Sequence, residues 1–454
     1  MKKKALNKKE TLAERRKFLK SSGLVAVTLG NPVIPWAFQA LLNSATAQAS
    51  TSQDALVFVF LRGGADGLSI LPPAPGHSER AAYEAARPNI KLDASDMALL
   101  GNTGFGLNNA CPYLFQLFQE KRASFYHGVG NKSSNSRSHF SQQDYIDRGG
   151  VGSQADGFLN RALSLSAAPV STLVASAAGP TLPKSLLGNQ AKPTNLIVPV
   201  PSLDAPKQAG VAIGNGVLSR FDRGNGLSVF LGLGLTARLA ATWSQTPGSV
   251  GKRATDASAQ IGAAMEKVKA SSLREAKEYG KFQQFRTAAQ LLVGCDSLKF
   301  LTIDVDGWDT HDQMGPKENG YFYRLLSSLD QALKAFLQDL QANSRGNVRV
   351  VIVSEFGRPL HENGTRGLDH GRGGVAITIS PEGSNEGGKV HTRSFSLQQN
   401  KLEDERDIAV TIDHREILGH VLANKARMLS RNDLRVIFPQ NSAEDKIILD
   451  YSFS

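Results

Sequence analysis

The stretch ALVFVFL, Ala55 to Leu61, is apolar at seven consecutive positions and then breaks into RGGADG. A strand with one wet face alternates apolar and polar residues; a strand with no alternation is covered on both sides. SLKFLTIDVDG (residues 297–307), NVRVVIVSEFG (347–357) and GVAITIS (374–380) repeat the arrangement of an apolar run opening into polar or glycine-rich chain. ASFYHGVG, Ala123 to Gly130, is a further strand-to-loop unit, and STLVAS and NLIVPV are short strand candidates.

Between these runs lie segments with helical spacing. PYLFQLFQE, Ser138 to Ile146 with Ser138 as N-cap, YFYRLLSSLDQALKAFLQDL and HREILGHVLANK all read as helices. Residues from about Leu218 to Gly294 form a helix-rich insertion. Strand–helix alternation of this kind predicts an α/β layered fold, with a largely parallel central sheet and helices on both faces.

The chain has 454 residues and a net charge of +11. Seven of those charges sit in residues 1–49, which hold nine Lys/Arg against two Asp/Glu, so the remainder carries only +4. No Lys/Arg run interleaved with aromatics follows Ser50, so nucleic acid is set aside as a partner. Residues 1–49 read as an export signal. Arg15-Arg16-Lys17-Phe18-Leu19-Lys20 resembles the twin-arginine signature, a mild apolar stretch follows from Gly23 to Leu42, and Ala47-Gln48-Ala49 is an A-x-A cleavage site. Gly30, Pro32 and Pro35 interrupt the apolar stretch, which argues against a permanent membrane span. The expected path is the twin-arginine translocase, and the expected location periplasmic or extracellular, with residues 50–454 as the folded part. Cys111 and Cys295 are too few for an iron–sulfur cluster; an exported chain permits a disulfide between them, and two buried free thiols fit equally.

Strands of a parallel sheet present their C-terminal ends on one edge, where α/β proteins keep their chemistry. That edge would gather Asp66 from GGADG, then Asp304, Asp306, Asp309 and His311 from DVDGWDTH, and Glu355 from SEFG, followed by Asp369-His370 in GLDHG. Converging carboxylates and imidazoles need neutralising, and a divalent cation does so most simply. Each residue also has a plainer reading. Asp66-Gly67 is a common turn pair, Asp309 and His311 suit a hydrogen-bonded loop, Glu355 suits an ion pair with Arg358, and His370 suits a loop. Ser138 and His139 stand at a helix start, where free N–H groups suit an anion; a hydroxyl there is a candidate nucleophile or a plain N-cap. His77, His361, His391, His414 and His420 lack such a setting.

Taken together, LVFVFLRGGADGLSILPP, GVGNKSSNSRSHFSQQDYIDRG, DGWDTH, SEFGRPLHENGTRGLDHGRGG and TIDHREILGHVL resemble the domain-of-unknown-function 1501 family, over nearly the whole chain after Ser50. That family has no settled activity and is grouped by fold with the alkaline phosphatase and sulfatase superfamily. The resemblance implies an alkaline-phosphatase-like layered fold. It implies Asp66 and Glu355 as ligands of one metal ion, with Asp369 or His139 helping, and Asp309, His311 and His370 as ligands of another. Ser138 is the nearest match to the superfamily nucleophile. Two positions depart from the pattern: Phe356 stands where the superfamily has a metal-binding His, and Asn108 where the family more often has His.

The expected function is therefore metal-dependent hydrolysis of phosphate or sulfate esters, with zinc, manganese, calcium or magnesium as the ion, and with Ser138 and Arg358 as catalytic residues. In this reading Arg62 or Arg358 binds the anion. The alternative is a non-catalytic envelope protein of the same fold that binds an anionic glycan, another anionic small molecule, or a partner protein; Phe356 favours it.

Overall fold

The computed structural model describes residues 54–150, 155–166, 173–188, 196–200, 202–203, 250–425, 428–439 and 453. The export-signal segment 1–49 and residues 218–249 of the expected helix-rich insertion lie outside them.

In chain order the elements are β1 (Ala55–Arg62), α1 (Gly67–Ile70), α2 (Arg80–Ala86), β2 (Met97–Leu99), β3 (Gly106–Asn108), α3 (Pro112–Gln119), β4 (Ala123–Gly130), α4 (His139–Arg148), α5 (Phe158–Leu165), β5 (Leu173–Ala177), β6 (Leu196–Pro199), α6 (Val250–Lys269) and α7 (Gln284–Gly294). They continue with β7 (Phe300–Asp306), α8 (Tyr321–Ala342), β8 (Val348–Ser354), β9 (Gly374–Ile379), β10 (Lys389–His391), β11 (Ile412–Asp413), α9 (His414–Gly419) and α10 (Leu434–Ile437).

The central sheet runs in the order β10-β4-β9-β8-β1-β7-β5-β6, with β11 also pairing β4. β1 lies parallel to both β7 and β8, and β5 is parallel to β6 and β7. The sheet is mostly parallel, as the apolar runs predict. β9 is the exception and runs antiparallel to β4 and β8. It therefore starts on the edge where β1, β4, β7 and β8 end.

The lack of alternation in β1 has its expected cause. Val57, Val59 and Leu61 enter one apolar layer, packed by α3, α7 and α8. Leu56, Phe58 and Phe60 enter the other, packed by α5, α9 and α10. Each fully buried Phe in such a layer contributes roughly 1.5–3 kcal/mol. Helices thus cover both faces, and β1 is the wall between two cores.

β7 is longer than the sequence suggests. The apolar run ends at Ile303, yet the pairing with β1 continues to Arg62↔Asp306. Arg62 makes this tolerable by pairing with Asp304 at 3.0 Å, so a carboxylate is kept inside the strand end. No helix among the described residues is long and apolar enough to cross a membrane. Cys111 and Cys295 are both buried free thiols.

Candidate metal centre

Four donors meet beyond the sheet edge. Asp309 and His311 come from the loop after β7, His370 from the β8–β9 loop, and His139 from the first residue of α4. His370 Nε2 lies 2.9 Å from His311 Nε2 and 3.3 Å from Asp309 Oδ1. His311 Nε2 lies 3.0 Å from Asp309 Oδ1. His139 Nε2 stands 3.4 Å from Asp309 Oδ2. The ligand atoms of His139, Asp309 and His370 all fall within 4.8 Å of one another.

The far side of each ring decides what the near side presents. His139 Nδ1 lies 2.7 Å from Glu355 Oε1. His370 Nδ1 lies 2.8 Å from the carbonyl oxygen of Arg137. His311 Nδ1 lies 3.4 Å from Asp369 Oδ1. A carboxylate and a carbonyl only accept, so a neutral ring keeps its proton on Nδ1 and turns the Nε2 lone pair inward. The lone pairs of His139 and His370 and the Asp309 carboxylate would then face one another beside His311 Nε2, an arrangement that a cation relieves. His139 Nε2 is also shielded from solvent and makes no hydrogen bond. Side chains with Nδ1 held from behind and Nε2 free are how proteins present histidine to a metal. The donor set fits a divalent ion.

The carboxylates of Asp309 and Glu355 are both held ionised, which draws positive charge to the cluster. Burial works to raise the Asp309 carboxyl, yet Arg358, His139 and His311 hold it below its ordinary value. Burial likewise opposes ionisation of Glu355, but hydrogen bonds from His139, Gln143 and Gly63 outweigh it. The hydrogen bond to Glu355, against opposing burial, raises His139. Burial lowers His370. Asp309 is 45 % exposed, so the cluster opens to solvent.

Local backbone explains the glycines. Gly63 has φ +122°, and a Cβ there would sit 2.5 Å from the Asp309 amide nitrogen. The turn after β1 can therefore press against the loop that carries Asp309. A Cβ on Gly371 would collide with the Arg358 carbonyl carbon, so only glycine lets the chain after His370 cross the start of the same loop.

Several expected site residues are placed differently. Asp66 is not brought to the cluster: it is wholly buried, caps α1 by accepting from the Ser69 amide at 2.9 Å, and takes Arg87 bidentately at 2.5 and 3.0 Å. Glu355 is behind His139 rather than beside it. Its Oε1 accepts from His139, from the Gly63 amide at 2.8 Å and from Gln143 Nε2 at 2.7 Å. Arg358 is fully buried and faces inward. It donates to the carbonyls of Gly63, Gly64, Leu368 and Trp308, and at 2.8 Å to Asp309 Oδ1, so it clamps the loops and fixes Asp309 instead of meeting an anion. Arg62 is likewise engaged by Asp147 and Asp304. Ser138 is the N-cap of α4 as expected, but its hydroxyl does not cap the helix and is exposed. Asp369 is exposed and backs His311.

Phe356 fills the floor. Its ring centre lies 4.8 Å from that of His139 and 4.9 Å from that of His370. The residue that cannot bind a metal instead packs the two rings that can. His139, taken from sequence as a helper, is a full member of the set; the signal was its i,i+4 spacing to Gln143, which puts both side chains on Glu355.

A family model described as a protein of unknown function, DUF1501, matches residues 234–437. The matched span holds Asp309, His311, Glu355, Asp369 and His370 and leaves out His139. Nothing among the curated proteins matches. Among solved structures, the crystal structure of Ps i-CgsB in complex with k-i-k-neocarrahexaose is similar at a TM-score of 0.34 and 8% identity, covering 85% of this chain and 74% of that one.

Proposed function

We propose that the protein is an exported, metal-dependent hydrolase of phosphate or sulfate esters, of an alkaline-phosphatase-like layered fold. The observation that supports this most is the convergence of His139, His311 and His370 Nε2 on Asp309, with Nδ1 of His139 and of His370 hydrogen-bonded from behind. Three imidazoles and one carboxylate suit zinc or a similar transition ion better than calcium or magnesium, which take oxygen ligands. A divalent ion held there supplies Lewis-acid polarisation of an ester oxygen.

The chain's own groups divide the remaining work. Asp309, fixed by Arg358, and the three histidines hold the ion. The first turn of α4 contains no acidic residue, which leaves its N–H groups and dipole available to an ester anion. Ser138 supplies an exposed hydroxyl at that helix start, next to His139. The basic segment with Arg15-Arg16 supports delivery by the twin-arginine translocase to the periplasm or beyond.

One observation favours a second reading. Phe356 closes the floor of the site and Arg87 occupies Asp66, features that suit a binding protein for an anionic glycan or a partner at the envelope. The separating experiment is a panel of phosphate and sulfate esters offered to zinc-replete protein, with Asp309→Ala alongside. Turnover lost in Asp309→Ala supports the hydrolase; metal binding without turnover of any ester supports the binding protein.

A further inference from the structure

His139 differs from the other donors in how it arrives. Asp309, His311 and His370 ride on loops that leave β7 and β8, the two neighbours of β1, whereas His139 is carried in by a helix. That helix has little apolar grip. Its buried residues are Gln142, Ile146 and Asp147, and Phe140, beside His139, is 79% exposed. The helix is seated by polar contacts instead. Glu355 Oε1 takes both His139 Nδ1 and, one turn on, Gln143 Nε2, each at 2.7 Å. Arg62 holds the next positions, at 3.3 Å from Gln143 Oε1 and 3.2 Å from Asp147 Oδ2.

Glu355 is itself rigidly held. It is wholly buried at the end of β8. The Gly63 amide donates to Oε1 at 2.8 Å, and the Ser354 hydroxyl, which donates to the Leu61 carbonyl at 2.7 Å, lies 3.1 Å from Oε2. An oxygen already taking three donors has no lone pair directed at the cluster. A carboxylate behind a ligating imidazole fixes its tautomer and ring angle and strengthens its nitrogen as a donor.

We propose that Glu355 is a positioning residue that acts on the metal through His139, so that loading the centre and seating the first turn of α4 on the end of β8 are one event. This rests on reading the cluster as a metal centre. The buried carboxylate is the fixed point, the imidazole is the arm, and the ion closes the contact from the other side.

The test is a cobalt(II) and zinc(II) titration of the full chain as wild type, Glu355→Gln, His139→Ala and the double variant, with hydrogen exchange of α4 measured with and without zinc. Glu355→Gln keeps an acceptor but not the charge, and is expected to weaken metal binding roughly 10–100-fold while the cobalt absorption keeps its coordination signature. In the His139→Ala background the same change is expected to add no further loss. Zinc is expected to slow α4 exchange in the wild type and to do so far less in His139→Ala. An equal loss from Glu355→Gln in both backgrounds overturns the proposal, as does α4 exchange that zinc leaves unchanged. A cobalt signature altered by Glu355→Gln would make Glu355 a ligand and overturn it too. If Glu355→Gln fails to fold, the exchange of His139→Ala decides alone. Wild-type protein that binds neither ion instead overturns the metal reading beneath it.

Discussion

Arg87 and Asp66 form a bidentate ion pair with both side chains wholly closed to solvent. Burial works to raise the Asp66 carboxyl, but Arg87 and Ser69 hold it below its ordinary value. Removing one partner of such a pair leaves a bare buried charge, at a cost of roughly 3–5 kcal/mol. Arg87→Leu is therefore expected to lose about that much in urea unfolding. A loss under about 1 kcal/mol would mean that Asp66 has another source of compensation.

The same pair bears on metal stoichiometry. With Asp66 occupied by a guanidinium, one ion per chain is expected by elemental analysis. His370→Ala should lower zinc affinity on the order of 100-fold or more, whereas Asp66→Asn should leave the metal content of folded protein unchanged. Two tightly bound ions, one of them lost in Asp66→Asn, would count against the single centre.

Arg358→Lys is not a conservative change here. The guanidinium fork serves four backbone carbonyls and Asp309 at once, and a lysine ammonium cannot reach them all. We expect a stability loss of about 2–4 kcal/mol together with weaker zinc binding, because Asp309 loses its anchor. Stability and affinity both within error of the wild type would show that the clamp is dispensable.

His127 carries a pH dependence with a definite sign. Its Nδ1 accepts from the Gly128 amide at 3.1 Å, and Nε2 meets the Leu71 carbonyl at 3.2 Å, so the buried ring is neutral. Burial pushes its pKa down to about 4. Above its ordinary value near 6.5 both folded and unfolded forms are neutral and its full contribution is present. As pH falls from about 6.5 towards 4 the unfolded chain takes up the proton first, and stability is lost, by up to roughly 3 kcal/mol. Asp330 and Asp147, raised to about 6 by burial, act oppositely: they favour the fold at low pH and lose that contribution as pH climbs from about 4 to 6. The clean readout is thus the difference between wild type and His127→Gln in urea midpoints, which should shrink on acidification. A difference independent of pH would contradict the neutral buried ring.

The sheet and its edge were legible because apolar runs without alternation admit few placements, and strand ends of a parallel sheet must share an edge. Asp309, His311 and His370 were placed on that edge with Asp66, Asp304, Asp306, Glu355 and Asp369, and only the family resemblance set those three apart as one group; their side chains meet. The claim of Arg87 on Asp66 was not legible, because the two are 21 residues apart and nothing local marks the arginine as buried. The inward turn of Arg358 was hidden for the same reason: its acceptors are backbone carbonyls, which have no signature in sequence. The role of His139 depends on where α4 docks, a tertiary fact, although its spacing to Gln143 was visible. Asp304 and Asp306 looked like loop residues because acidic side chains rarely extend a strand; Arg62, on the neighbouring strand, reverses that expectation for Asp304.

The reversed direction of β9 has an architectural consequence. In a parallel crossover the chain leaving β8 would have to travel to the opposite edge before it could re-enter the sheet. Because β9 pairs antiparallel with β8, residues 355–373 depart from and return to the same edge, between two hydrogen-bonded neighbours. That segment carries Glu355, Phe356, Arg358, Asp369 and His370. Both ends of the excursion are therefore fixed by neighbouring strands, and Arg358 and Leu368 pin its middle to the turn after β1 and to the core, so one short segment presents all five side chains to a single edge.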